Sequence, residues 1–247
     1  VWALHFGRGL VSTPSNFGAL GARPTHPELL DYLARYLVEH GWSLKALHRL
    51  ILTSRTFGLA SDVDSAAYAR NAQIDPDANL LWRARRRRLD IEEIRDALLV
   101  IGGRLDRTVG GASFIDLDAS ARRTVYTSVN RFVLPPMMAL FDFPDPALPA
   151  EQRQRTNVPS QGLFFLNGAF VRRQCDTLAD RLLARPGTTT RAAVREAFLH
   201  VVGRAPAPAE EALVVRFLSA PPREDLRRPL GEAIRALVAS NGFLFVE

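Results

Sequence analysis

Leu29, Leu30, Leu33, Tyr36 and Leu37 recur on one face of a helical period, and Leu44, Leu47, Leu50 and Ile51 repeat the arrangement. Thr25-His26-Pro27-Glu28 precedes the first set and predicts a capping box, with Thr25 as cap and Glu28 three residues on. Gly41 ends that helix and Ser43 caps the next, which together predict a helical hairpin. The helical period returns in Ile94, Ala97, Leu98 and Ile101, behind a second capping-box pattern, Asp90-Ile91-Glu92-Glu93, and before Gly102-Gly103.

Between these elements the pattern loosens. Val1 to Phe6 reads as the last turn of a helix that begins upstream, with Gly7 as its C-terminal cap. Residues 7 to 23 are loop-like, punctuated by Gly9, Pro14, Gly18 and Gly21. Arg55 to Asn79 is predicted as mostly loop with one short helix, and Gly110 to Ala121 as a loop or flap. Val125, Tyr126, Val129 and Phe132 make Thr124 to Phe132 the best strand candidate. Pro135-Pro136 starts a short helix to Leu140, and Phe141 to Pro146 is expected to be an extended turn.

Pro159 to Leu166 and Ala169 to Leu183 are predicted helices, broken at Asn167-Gly168. Three more helices follow, Thr190 to Val202, Ala209 to Leu218 and Leu226 to Ser240, separated by Pro206-Ala207-Pro208 and Pro221-Pro222. The expected fold is mainly α: a multi-helix domain over 1–186, a minor β element, and a small C-terminal helical bundle over 187–247, with the boundary at Pro186-Gly187.

Composition changes this picture little. At 47% hydrophobic and 23% charged residues the chain can bury a sizeable core, and no apolar run reaches the roughly 18–20 residues of a membrane span. The net charge of +6 raises the question of nucleic acid. Lys45 is the only lysine, and the arginines are spread among acidic residues, as a GC-rich genome produces; nucleic acid is therefore not the expected partner. Cys175 is the only cysteine, which excludes an internal disulfide, a haem-attachment motif and a cysteine zinc site.

Four groups could carry chemistry. His5, Arg8, Thr13, Asn16, His26 and Asp31 cluster near the front and could serve a metal or acid–base chemistry, but they lack a recognised ligand spacing. Arg83 and Arg85 to Arg88 stand beside Trp82 and could grip phosphate. Asp90, Glu92, Glu93 and Asp96 follow at once, so ion pairs across helical turns are the expected use. Asp142 and Asp145 sit in a proline-stiffened turn; they could work as paired carboxylates or accept backbone N–H bonds, and the second is favoured. Arg153, Arg155, Thr156, Gln161 and Asn167 could line a pocket or satisfy buried backbone groups. No phosphate-binding loop, dinucleotide fingerprint or nucleophile elbow occurs.

Several blocks in order carry a resemblance: His5-Phe6-Gly7-Arg8-Gly9, Pro24-Thr25-His26-Pro27-Glu28-Leu29-Leu30-Asp31, Trp42-Ser43-Leu44-Lys45, Arg87-Arg88-Leu89 with Ile94-Arg95-Asp96, Phe141-Asp142-x-Pro144-Asp145, and Arg155-Thr156-x-Val158-Pro159-x-Gln161 running to Asn167. Gly203-Arg204-x-Pro206-x-Pro208-x-Glu210 and Ser240-Asn241-Gly242-Phe243 extend it. Together they resemble the planctomycete-type domain of unknown function 1553, departing from its pattern at Gly162, where alanine is expected, and at Gly242, where an acidic residue is expected.

The resemblance implies the C-terminal part of a large exported protein, periplasmic or at the cell surface, often cytochrome c-associated. It implies no cofactor in this chain, any haem belonging to an upstream domain, and no established reaction or catalytic residues. Upstream domains of the same polypeptide are the expected partners. The favoured role is a structural or ligand-binding module, with no metal assigned and with His5, Arg8, His26, Asp31, Arg87, Arg88, Asp96, Asp142, Asp145, Arg155, Gln161 and Asn167 as an interlocked polar cluster. The alternative is an extracellular hydrolase or redox-linked enzyme acting on polysaccharide through the same residues.

Overall fold

The computed structural model describes residues 1–150, 152–220 and 225–246. The described chain is mainly α, and its minor β element is one sheet of two-residue strands, Arg87–Arg88 (β1) and Phe245–Val246 (β2). No helix among the described residues is long and apolar enough to cross a membrane. The chain divides into two compact units, one over Val1–Arg87 and one over Arg88–Val246, so Pro186-Gly187 lies inside the second unit.

The first unit holds α1 (Trp2–Phe6), α2 (Pro27–Glu39), α3 (Leu44–Leu52) and α4 (Ser65–Ile74). Gly7 closes α1 at φ 75°, a left-handed conformation that favours glycine, and its N–H donates to the Ala3 carbonyl. Ser43 caps α3 by accepting from the Ala46 N–H at 3.2 Å, as its sequence position predicts. The Thr25 capping box does not form. The Thr25 hydroxyl turns back to the Leu10 carbonyl at 3.3 Å, His26 becomes the cap position, and Pro27 opens α2. Leu10, Leu47, Ile51 and Ala78 are the buried apolar residues described in this unit, and no residue of α2 is buried.

The second unit is built around α8 (Ala169–Leu183), whose Phe170, Val171, Cys175, Leu178 and Leu182 are buried. Against it pack α5 (Ile91–Ile101), α7 (Pro159–Asn167), α9 (Thr190–Val202) and α11 (Arg227–Val238). These helices bring Ile94, Leu98, Phe165, Val194, Phe198 and Ile234 into one core. The unit also contains α6 (Pro136–Leu140), α10 (Pro208–Ser219) and α12 (Asn241–Leu244). The predicted separator Pro221-Pro222 lies outside the described residues.

Three helix starts in this unit, those of α5, α7 and α10, share one device. The side chain three residues into the helix accepts the N–H of the cap residue: Glu93 from Asp90 at 2.8 Å, Gln161 from Val158 at 3.3 Å, and Glu210 from Ala207 at 2.7 Å. Arg204 grips the same Glu210 with both terminal nitrogens, at 2.7 and 2.8 Å. These bonds hold the Glu210 carboxyl down at about 2, the Arg204 pair being the larger cause. The Gly203-to-Glu210 block is thus a helix-start lock. The two departures from the family pattern differ in kind. A side chain at Gly162 meets nothing within 4 Å, whereas one at Gly242 would start 2.5 Å from Val202 Cγ1.

Thr124 to Phe132 is not a strand. Thr124–Tyr126 forms a 3-10 turn, and the segment meets Phe114 through isolated bonds: Phe114 N–H to the Tyr126 carbonyl, and Ser128 N–H and the Thr127 hydroxyl to the Phe114 carbonyl. The cause lies in α5. Asp96 accepts from both the backbone N–H and the hydroxyl of Thr124, at 2.7 and 2.6 Å, and that grip bends the segment at its first residue.

Candidate functional site

The polar residues of the second unit converge on one frame. Arg88 donates to Gln161 Oε1 at 2.9 Å and also to the Thr156 carbonyl, while its guanidinium lies 5.7 Å from the Phe141 ring centre. Gln161 is buried, and its Nε2 donates to the Leu140 carbonyl at 2.9 Å. Asp142 holds the left-handed φ of 60° and accepts from both the Thr156 N–H and the Thr156 hydroxyl at 2.8 Å. Burial lowers the Arg88 pKa, against the opposing charges of Asp142 and Asp90.

A second layer extends this frame. Arg153 makes a two-toothed pair with Glu92 at 2.7 Å, and Arg155 reaches Asp90 at 3.4 Å. Such paired geometry is the strong form of the arginine–carboxylate bond, and the Glu92 bonds raise the Arg153 pKa. Asp145 accepts from the Ala147 N–H within its own turn. The two turn aspartates therefore hold loop backbone. Asn167 ends α7 and is exposed.

A third anchor was not singled out by its charge pattern. Arg95 is fully buried on α5 and donates to the carbonyls of Leu117, Arg122 and Ser120 and to the Thr124 hydroxyl, at 2.5 to 3.0 Å. Phe114 and Phe170 face its guanidinium at 5.2 and 5.7 Å. A buried arginine donating along one face to four loop acceptors fixes that loop in a single conformation. The signal available in sequence was its place on the apolar face of α5, between Ile94 and Leu98.

These anchors frame an open cleft of about 630 Å³. One side, Ile115 to Asp118, is pinned by Arg95; another, Pro135 to Leu140, is pinned by Gln161, and Phe164 of α7 also lines the cleft. Ser128 and Asn130 contribute polar groups to the lining, beside the carboxylates of Asp116 and Asp118. The size and the mainly apolar lining with a few polar groups are those of small-molecule sites.

In the first unit the front residues do not form one group. His5 Nε2 lies 2.7 Å from His48 Nδ1, His26 Nδ1 lies 3.0 Å from the Thr25 hydroxyl, and Asp31 is exposed on α2. Arg8 donates to Asn79, and the Arg87 stem lies 3.9 Å from where a Gly7 side chain would begin. Among the described residues no group of three or more His, Cys, Asp or Glu side chains is placed to share a metal ion.

The arginine run does not pair along a helix as expected, because residues 83–86 are not helical. Arg83 stacks by Trp82 and Tyr68, Arg85 reaches Asn79, and Arg86 pairs with Asp62. Asp90 and Glu92 are instead taken by Arg153 and Arg155, and Asp96 by Thr124 and Arg123.

The second unit therefore defines a class: a helical scaffold in which side-chain-to-backbone bonds fix loops around a cleft. The chain belongs to the PSD1 family, proteins of unknown function (DUF1553), whose family model matches residues 1–218. No curated protein and no solved structure matches it.

Proposed function

We propose that this chain is a ligand-binding module of a larger exported protein and that its ligand occupies the cleft of the second unit. The observation that carries the reading is the pinning of two sides of the cleft, by Arg95 to Leu117 and by Gln161 to Leu140. A cleft fixed before binding avoids the cost of ordering its loops when the ligand arrives. The ligand chemistry that fits is a neutral or cationic molecule with one apolar face, since Asp116 and Asp118 supply negative charge. Export and work beside a haem domain are supported by the family resemblance.

The hydrolase alternative needs His5, His26, Asp31 and Asp142 within ligand or hydrogen-bond range of one another. His5 is engaged with His48, His26 with Thr25, and Asp142 with Thr156, which favours the binding reading.

The test is a heteronuclear NMR titration of the chain with a library of neutral and amine-bearing fragments and with neutral oligosaccharides. Saturable shifts at Ser128, Asn130 and Met137, lost in Met137→Arg, are expected. A cleft that stays silent toward every compound at millimolar concentration overturns the proposal.

A further inference from the structure

Arg8 and Arg85 both donate to a single neutral oxygen, Asn79 Oδ1, at 2.8 and 2.7 Å. Neither guanidinium has a carboxylate within ion-pair distance among the described residues. Two cations sharing one amide oxygen is an unbalanced arrangement, because like charges repel and a carbonyl dipole offsets only part of that. Burial and the adjacent Arg8 charge push the Arg85 guanidinium below its ordinary value, against partial relief from Asp77 and Asp75.

The backbone that carries this oxygen is pinned. Asp75 is buried and accepts the backbone N–H groups of Asn79 and Leu80 at 2.9 and 2.7 Å, using both carboxylate oxygens. Trp82 Nε1 donates to the Asp75 carbonyl at 2.8 Å and completes the turn. Asp75 is thereby committed to the loop backbone.

The two arginines and Asn79 line a crevice of about 20 Å³ whose other walls include Trp2, Thr25 and His26. His26 is the cap position of α2 and makes no side-chain cap bond, so this crevice lies at the positive end of a 13-residue helix. Glu28, the acidic residue of that first turn, is not part of the lining. The volume suits one water or the oxygens of a small charged group, so a ligand would insert only its anionic head.

We propose that Arg8, Arg85 and the start of α2 form a binding site for an oxyanion: a sulfate or phosphate group, or a carboxylate, carried by a larger ligand. The site is independent of the cleft in the second unit, and either can fail without the other. Guanidinium forks match the paired oxygens of all three groups, and Asn79 acts as the stand-in acceptor when no anion is bound.

The experiment titrates the chain with sodium sulfate, sodium phosphate and sodium glucuronate, against sodium chloride at equal ionic strength. The indole N–H of Trp2 and the ring protons of His26 are followed by NMR. Saturable shifts with at least one oxyanion and not with chloride are expected, and the three salts separate tetrahedral from carboxylate preference. Arg8→Gln and Arg85→Gln are expected to weaken binding about tenfold or more, the loss of one charge-assisted hydrogen bond. Asn79→Asp, nearly the same shape, places a resident carboxylate between the arginines; it should raise the melting temperature and abolish binding. Linear drift with all salts alike overturns the proposal, as does an Asn79→Asp variant that binds as before or melts earlier.

Discussion

Arg88 and Gln161 meet at 2.9 Å across 73 residues of chain, and the same Gln161 carboxamide holds the Leu140 carbonyl on its other side. One buried side chain thus ties the strand-like segment before α5, the loop before α7 and the end of α6. Gln161→Leu keeps the volume and removes the side-chain bonds to Arg88, Val158 and Leu140. It leaves the Leu140 carbonyl and the Arg88 guanidinium without this partner, at a cost of about 1–3 kcal/mol for each buried group orphaned. A lower urea midpoint at unchanged slope is expected in equilibrium unfolding, with Gln161→Glu recovering part of the loss by restoring the Arg88 bond.

Arg95 makes a sharper case. Its four acceptors all lie between Leu117 and Thr124, so Arg95→Met leaves that loop unanchored while α5 keeps its apolar face. A loss of about 3–5 kcal/mol is expected, in the range for removing one member of a buried charged network. Amide hydrogen exchange should accelerate from Leu117 to Thr124 more than in α8. Uniform acceleration throughout the second unit would show that Arg95 supports the whole core and not the loop.

The His5–His48 contact predicts a pH dependence in the first unit. Burial and the facing His48 together lower His5 from its ordinary value of 6.5. The folded chain therefore binds this proton less readily than the unfolded chain. Stability from this contact is fully present above pH 6.5 and declines as pH falls from there through the lowered folded value. Following the His5 ring protons by NMR should place its titration below 6.5, and His48→Asn should move it upward by removing one of the opposing charges.

Cys175 is buried on α8, and burial pushes its thiol up to about 12. The thiolate is the reactive form, so the folded protein should not react with a disulfide reagent at pH 8. One thiol per chain should appear when guanidinium is added. Reaction in buffer at the rate of a free thiol would mean that α8 opens readily.

Much of this protein is determined locally. Helical periods at Leu29 to Leu37, Leu44 to Ile51 and Ile94 to Ile101, with Ser43 and Asp90 at the starts of the last two, set element type and boundaries by contacts within a few residues. Proline placement fixed the short α6 and the start of α7 for the same reason. Block order was enough to name the family.

What the sequence could not decide was which partner each polar residue takes. Thr25 is a sound cap by local rules, yet its hydroxyl goes to Leu10, 15 residues away. Thr124 to Phe132 has strand-like residues, but a strand needs a neighbour, and Asp96 takes Thr124 first. Arg83 to Arg88 looked like helical ion-pair partners for Asp90 and Glu92, whereas those carboxylates went to Arg153 and Arg155, more than sixty positions on. Hydrogen bonds and ion pairs depend on distances of a few ångströms, and only the folded backbone sets those. The loops pinned by Arg95 and Gln161, and the cleft between them, were therefore decided by tertiary structure alone.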